Sequence, residues 1–308
     1  MANIAVIWDE EVDDEGEKPF NIDYLNDTYE YFSEIAEERG ETTYIANFRW
    51  FDKGVLRTGY RWNGDEWIRE ENISIDVVFD KYKFDEETRE MKKWIEKNMP
   101  VLNHFRLEEI CKDKLLTYQE FPDMVAETRE ATEKDAEEFI EEDGRAVLKP
   151  RFSFGGRGVK IIEDIEEYED ASNQLVQRFV DSTEGIDELG VEGVHDLRVV
   201  VVDGEPVLSF VRTPESGFVS NVQQGGSMNF VDLEDVPDSA MEIVERVAEK
   251  FSEYSPYVFG ADMIFDEDQK PWILELNSKP GMAIYNEEVK ERKDLYITRV
   301  VEMLAKMP

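Results

Sequence analysis

The sequence predicts an α/β protein of two or three domains, and three observations carry that reading. Short apolar runs alternate with amphipathic helical stretches over the first hundred residues, the pattern of a small, mainly parallel sheet. Two clear β-hairpins follow, around 197–211 and 259–276, so the later part has an α+β character. At 308 residues the chain also exceeds one typical core.

Taken in order, residues 3–8 (NIAVIW) read as a first strand, followed by an acidic loop at 9–18 and a helix near 22–39 that stops at Gly40. Residues 42–48 are a second strand. Asn63-Gly64 is a strong hairpin signal between 55–62 and 66–69. A third core strand at 75–79 and a charged amphipathic helix at 86–97 complete this part. The loop 9–21 leaves the C-terminal end of a strand, where such sheets commonly hold ligands; a solvated acidic loop is the plainer reading. Around 100–103 the character changes. A helix over 107–119 carries Lys112 and Lys114, and a second spans 133–142. A strand at 146–149, a glycine-rich loop, a strand at 175–179 and a polar stretch at 181–193 come next. The hairpin 197–202/206–211 turns on Asp203-Gly204, and helices are expected at 241–253 and 295–306.

The charge is extreme, with 73 acidic against 35 basic side chains and a net charge of -38. Such a surface repels nucleic acid and anionic membranes, so neither is expected as a partner. An anionic nucleotide can bind only where cations and backbone N–H groups are concentrated. The carboxylates are spread along the whole chain, which argues for adaptation to high intracellular salt, although lysine is not depleted. The single Cys111 excludes an intrachain disulfide and a multi-cysteine metal site. Two histidines argue against a histidine-based zinc site. No apolar run approaches the roughly 18 residues needed to cross a bilayer, and the N-terminus lacks the basic region of a signal peptide. The expected location is cytoplasmic.

The segment 260–281, GADMIFDEDQKPWILELNSKPG, carries the most chemistry. With a turn centred on Asp268 and Gln269, Asp262 lies directly opposite Glu275. Asn277 then follows on the same face, because strand side chains alternate. Ala261, Met263, Phe265, Trp272, Leu274 and Leu276 fall on the other face, which must be the core face. Like charges directly opposite one another destabilise a strand pair unless something positive lies between them. Two carboxylates and an amide are hard oxygen donors that suit Mg²⁺. A solvated face on a very acidic chain is the competing reading.

Residues 149–159, KPRFSFGGRGV, follow a strand. Gly155, Gly156 and Gly158 let the backbone approach phosphate oxygens and aim N–H groups at them, and Lys149 adds a point charge. The loop is neither a P-loop nor a dinucleotide fingerprint, since it lacks the closing Gly-Lys-Ser/Thr and no helix follows. An ordinary turn with a surface lysine is the alternative. In the 197–211 hairpin, a turn centred on Asp203 and Gly204 pairs Arg198 with Ser209 and Asp196 with Val211. Arg212 then points away unless a bulge brings it round. Arginine suits planar, multi-donor contact with phosphate; ion pairing with the abundant carboxylates is the alternative.

Taken together, Lys114 in DKLLTYQ, Lys149 before the glycine loop, the DLR hairpin and the D…E-x-N pattern ending in PG resemble the ATP-grasp superfamily. Within it, the likeness is to the branch of prokaryotic glutathione synthetase and the RimK-type glutamate ligases. KPxxxxGG at 149–156, LVQ at 175–177, DLRVVVVDGEPV at 196–207 and RTP at 212–214 are similar to the glutathione synthetase pattern. SNVQQGG at 220–226 and ELNSKPG at 275–281 are similar to both groups. The resemblance covers about residues 103–308 and is architectural only over 1–102.

It implies an ATP-grasp domain over 103–308, with a small lobe at about 112–180 and a C-terminal lobe at about 181–308, after a pre-ATP-grasp α/β domain at 1–102. Residue by residue, it implies that Lys114 and Lys149 contact nucleotide phosphates beside the glycine loop. Gln177, Arg178 and Phe179 form the hinge that reads adenine, chiefly through main-chain groups. Asp262, Glu275 and Asn277 hold Mg²⁺, with two ions expected and Mn²⁺ an alternative. Arg198, Arg212 and Asn221 approach the transferred phosphate or acyl phosphate. The implied activity is an ATP-dependent ligase that joins a small-molecule carboxylate to an amine, such as an amino acid or short peptide, through an acyl phosphate. A kinase acting on a small-molecule hydroxyl and a non-catalytic nucleotide-binding regulator are the alternatives, and a homo-oligomer is left open. Four departures fall near the substrate. Ser153 stands where relatives usually have glycine, Val219 replaces an arginine, Gln223-Gln224 replaces a His-Arg pair, and 181–193 is longer than in RimK-type enzymes.

Overall fold

The computed structural model describes residues 2–9, 11–13, 15–153, 155–215 and 226–307. The chain divides into two compact units, one of Met1–Leu107, Phe251–Val258 and Lys279–Pro308, the other of Glu108–Lys250 and Phe259–Ser278.

The first unit is built on β1 (Asn3–Trp8), α1 (Asp23–Glu38), β2 (Thr42–Asn47), β3 (Phe51–Asp52), β4 (Val55–Trp62), β5 (Trp67–Ser74), β6 (Val77–Asp80), α2 (Glu86–Asn98) and β7 (Val101–Leu102). Its strand order is β3-β4-β2-β1-β6-β7, with β5 paired to β4. β1 runs parallel to β2 and β6, and β6 to β7, while β4 and β5 add an antiparallel wing. A parallel sheet must be covered on both faces, and Ile4, Ala5, Val6 and Ile7 of β1 are accordingly all buried. The wing turns through an Asx turn, in which Asn63 Oδ1 accepts hydrogen bonds from the N–H groups of Asp65 and Glu66. α2 opens on a capping box between Asp85 and Thr88. The helix Glu287–Ala305 also belongs to this unit, where Glu302 pairs with Arg39 at 3.0 Å.

In the second unit the single helix expected over 107–119 is two, α3 (Phe105–Lys112) and α4 (Lys114–Glu120). Asp113 breaks it. This residue is extended, and its carboxylate accepts from the N–H groups of Leu115 and Leu116, so it caps a new helix instead of continuing the old one. Arg151 clamps both of its oxygens at 2.7 Å. An antiparallel sheet ordered β10-β9-β11-β8 follows, from β8 (Thr128–Glu130), β9 (Ala146–Pro150), β10 (Lys160–Ile162) and β11 (Gln174–Arg178). α5 (Glu133–Asp143) packs on it through Ala136 and Phe139. A larger sheet ordered β14-β13-β12-β15-β16 is formed by β12 (Asp196–Val202), β13 (Glu205–Thr213), β14 (Ser227–Val231), β15 (Val258–Phe265) and β16 (Pro271–Asn277), with α6 (Asp238–Phe251) inserted before β15.

Both hairpins of the larger sheet carry a bulge. In β12/β13, Val202 pairs with Glu205 and Val201 with Pro206. The register then shifts, so that Val200 meets Leu208, Arg198 meets Phe210 and Asp196 meets Arg212. The expected pairs Arg198–Ser209 and Asp196–Val211 do not form. Val207 is the extra residue, next to Pro206, which has no N–H to give the ladder. In β15/β16, Ile264 pairs with Trp272 and Met263 with Ile273 before the register shifts to Asp262–Glu275. Here Leu274 is the extra residue. The turn is therefore one residue shorter than expected, with Phe265 paired to Pro271 instead of Trp272, and the bulge adds that residue back, restoring the expected carboxylate pair. It also takes Trp272 and Leu274 off the core face. Ile273 is buried in their place, while Leu274 is 39% exposed.

Candidate active site

A cleft of about 720 Å³ lies within the second unit, lined by both of its sheets. Its size is in the range of small-molecule and cofactor sites. Val147, Ile161, Phe179, Ile264, Trp272 and Leu274 give it apolar walls, and Lys114, Lys149, Arg198, Arg212, Asp196, Asp262 and Glu275 line it with charge.

Lys114 owes its place to the break at Asp113, which makes it the first residue of α4. Its Nζ donates to the Ser153 carbonyl and lies 3.9 Å from Glu275 Oε1. Burial lowers its pKa against the pull of Glu275 and Asp113. Lys149, on β9, is buried and donates to Gln177 Oε1 at 2.8 Å. Gln177 in turn donates to Thr128 Oγ1 at 2.7 Å, which fixes the amide. Burial, reinforced by the charge of Lys114, brings the Lys149 ammonium down to about 7.

Arg178 holds its guanidinium on Glu127, Glu142 and Asp143, so only its remaining atoms are left to serve the cleft. Phe179 lines the cleft with Arg145 over its ring at 5.1 Å. Gly155 and Gly156 also line it, with φ of 65° and 70°. Gly158, at φ 76°, does not. A Cβ there would stand 2.8 Å from Pro150 Cγ, so this glycine allows a close approach of loop to strand.

Three carboxylates, Asp196, Asp262 and Glu275, line the cleft. Asp262 is buried at 2% exposure, which rules out the solvated-face reading. Arg198 grips both of its oxygens, and Arg212 donates to its Oδ2 at 2.9 Å and also to Asp196 Oδ2. Burial alone would raise the pKa of Asp262, but the two guanidiniums outweigh it and hold the carboxyl below its ordinary value. Asp196 has the opposite balance. Burial and the negative charge of Asp262 push it up to about 7. Burial also raises Glu275, whose Oε1 has no hydrogen-bond partner among the described residues. Asn277 lines the same cleft. Asn221, together with Val219, Gln223 and Gln224, lies outside the described residues.

Thus the structure brings together Lys114, Lys149, Gly155, Gly156, Gln177, Arg178, Phe179, Arg198, Arg212, Asp262, Glu275 and Asn277. Sequence reasoning missed Trp272 and Leu274, because the bulge that turns them inward has no clear local signal. It also gave Asp196 no role, although Asp196 shares a face with Arg198 in any register. His195 lines the cleft too, but both ring nitrogens are engaged with the backbone. Nδ1 meets the Gly193 carbonyl at 3.0 Å, and Nε2 accepts from the Phe265 N–H at 2.9 Å.

The residues fit a divalent cation. Asp262, Glu275 and Asn277 offer hard oxygen donors, and Glu275 Oε1 is buried and has no hydrogen-bond partner among the described residues. No group of three or more His, Cys, Asp or Glu side chains suited to a metal occurs among the described residues. A site here would therefore rest on two carboxylates, the amide and oxygens from a ligand.

Comparison with known proteins places this cleft in context. The chain is 27% identical over 157 residues to the coenzyme gamma-F420-2:alpha-L-glutamate ligase of Methanococcus maripaludis, covering 48% of this chain and 50% of that protein. It is 30% identical over 157 residues to the glutathione synthetase of Gloeobacter violaceus, covering 47% and 44%. It thus spans about half the length of the curated relatives it matches. Among solved structures, D-alanyl-alanine synthetase A from Vibrio cholerae shares the fold over 99% of this chain and 98% of that one, with a TM-score of 0.64 and 13% identity. The model of the family "Prokaryotic glutathione synthetase, ATP-grasp domain" matches residues 113–278, more than half of the chain and nearly all of the second unit. The chain therefore belongs to the prokaryotic glutathione synthetase ATP-grasp family.

Proposed function

We propose that the chain is an ATP- and Mg²⁺-dependent ligase that joins a small-molecule carboxylate to an amine through an acyl phosphate. The observation that carries this reading is the cluster of Lys114, Lys149, Arg198 and Arg212 around Asp262 and Glu275, in one cleft of a chain with net charge -38. In a chain so acidic, four gathered cations mark a site for an anion.

Lys114 and Lys149 would hold the nucleotide phosphates, with Gly155 and Gly156 offering backbone N–H groups to them. Phe179 and the main chain of Gln177 and Arg178 would meet the base, and Trp272 and Leu274 add apolar wall. Asp262, Glu275 and Asn277 would hold the cation, which when bound neutralises charge on the phosphates. Arg198 and Arg212 would face the oxyanion that develops as the amine attacks.

His195 cannot serve as a general base while its Nε2 accepts the Phe265 N–H. That observation disfavours the hydroxyl kinase, which needs a base beside its acceptor. The retained donor set of Asp262, Glu275 and Asn277 likewise disfavours a regulator without turnover. The two relatives carry the names of different products, so the proposed substrates extend only to a small carboxylate and an amino acid or short peptide. The acidic surface suits a cytoplasm of high salt, and no helix among the described residues is long and apolar enough to cross a membrane.

The test is a screen of carboxylates for ADP release with Mg²⁺, followed by trapping with hydroxylamine. A carboxylate that supports ADP release should yield an acyl hydroxamate. A stable phosphate ester with no hydroxamate would replace the ligase reading with the kinase.

A further inference from the structure

Arg198 and Arg212 both hold Asp262, but they are not held alike. Arg198 spends its Nε and one terminal nitrogen on the two Asp262 oxygens, and Asp262 is the one carboxylate it pairs with among the described residues. Arg212 bridges Asp262 Oδ2 and Asp196 Oδ2 through a single terminal nitrogen. Two atoms of this arrangement are left over. Arg212 Nε, a donor, and Asp196 Oδ1, an acceptor, are both buried and both without a hydrogen-bond partner among the described residues. Buried polar atoms in such a state are uncommon and costly, and here the two are complementary. Rotating the Arg212 guanidinium toward Asp196 would satisfy both, giving the two-point fork that arginine makes with a carboxylate.

Resting on the ligase reading above, we propose that Asp196 is a positioning residue that receives Arg212 when a divalent cation takes Asp262. Arg198, with no second carboxylate in ion-pair contact among the described residues, is the arginine the cation expels. A dication on Asp262 cannot share that carboxylate with two guanidiniums, since like charges at contact distance repel strongly in a buried site. Arg212 moves a short way onto Asp196 and stays at the cleft. Arg198 swings off and becomes the group that meets the ligand's anionic oxygens. The two arginines therefore act as a resident charge in place of the cation, and their release is coupled to its arrival.

The test is Mn²⁺ binding, followed by electron paramagnetic resonance with saturating ADP, which reads the hand-over without turnover. Asp196→Asn should weaken Mn²⁺ binding about tenfold, because Arg212 then has only Asp262 to hold. In an Arg212→Gln background the same change should alter it by less than about threefold. Equal loss in both backgrounds, or no loss in either, overturns the proposal. Should Asp196→Asn fail to fold, the single arginine variants decide. Arg198→Gln should tighten Mn²⁺ about tenfold, and Arg212→Gln should change it by less than about threefold. Equal tightening overturns the division of roles. Failure of the wild-type chain to bind Mn²⁺ at all would instead remove the metal reading on which the proposal rests.

Discussion

Lys149 shows how one buried side chain can report on the ligand. Its ammonium sits near 7 because burial and Lys114 both disfavour the charge. A phosphate beside it would favour the charged form and raise the pKa in the complex. Between the two values binding takes up a proton, so affinity for ADP should fall as pH rises above about 7, by up to tenfold per unit. Calorimetry at pH 8 in buffers of different ionisation enthalpy should show net proton uptake, and Lys149→Met should remove it. Uptake unchanged in that variant would move the effect to another group. Glu275 offers a second test. Burial already favours its neutral form, so Glu275→Gln should keep the fold while ADP release falls by about two orders of magnitude or more. Wild-type turnover in that variant would refute the metal assignment. At this scale the chemistry was legible. Lysines, arginines and paired carboxylates in a chain of net charge -38 announce themselves by type and order, whereas Trp272 and Leu274 resemble any apolar strand residues until their facing is known.

The elements place these groups through interruptions of regular structure. Asp113 ends one helix and caps another, which puts Lys114 at a helix start. A bulge at Val207 turns Arg212 onto the face of Asp196, and a bulge at Leu274 brings Trp272 into the cleft while keeping Asp262 opposite Glu275. In a strand, one extra residue exchanges the two faces beyond it, so each bulge acts on every side chain past it. The glycine loop is placed by Gly158. Gly158→Ala should destabilise the unit by about 1–3 kcal/mol, since a Cβ there meets both a positive φ and the Pro150 ring. Urea denaturation would read this directly, and an unchanged midpoint would mean that the loop relaxes away from β9.

Over the whole molecule the dominant quantity is charge. With 73 acidic side chains against 35 basic ones, self-repulsion opposes the compact state wherever ions do not screen it. Ion pairs offset part of this, as where Arg129 gathers Glu127, Asp135 and Glu138, but there are too few cations to pair every carboxylate. The melting temperature should therefore rise by more than about 10 °C between roughly 0.1 M and about 3 M KCl. A flat profile would mean that the acidic surface is not an adaptation to salt.

The sequence by itself determined the alternation of strand and helix in the first hundred residues, the two hairpins of the larger sheet and nearly every charged group of the cleft. Those properties follow from local periodicity, turn chemistry and side-chain type, which neighbouring residues carry. Tertiary structure decided what depends on pairing. The expected Asp262–Glu275 pair formed because a turn one residue shorter and a bulge cancel, while the expected Asp196–Val211 pair gave way to Asp196–Arg212 because nothing cancels the bulge at Val207. The short strands β8, β10 and β14 exist only as additions to sheets that other strands begin. The break at Asp113 depends in part on Arg151, 38 residues away in sequence. Register is a property of two strands at once, so a single strand's pattern leaves it undetermined by one residue, and one residue is enough to turn an arginine toward or away from a carboxylate.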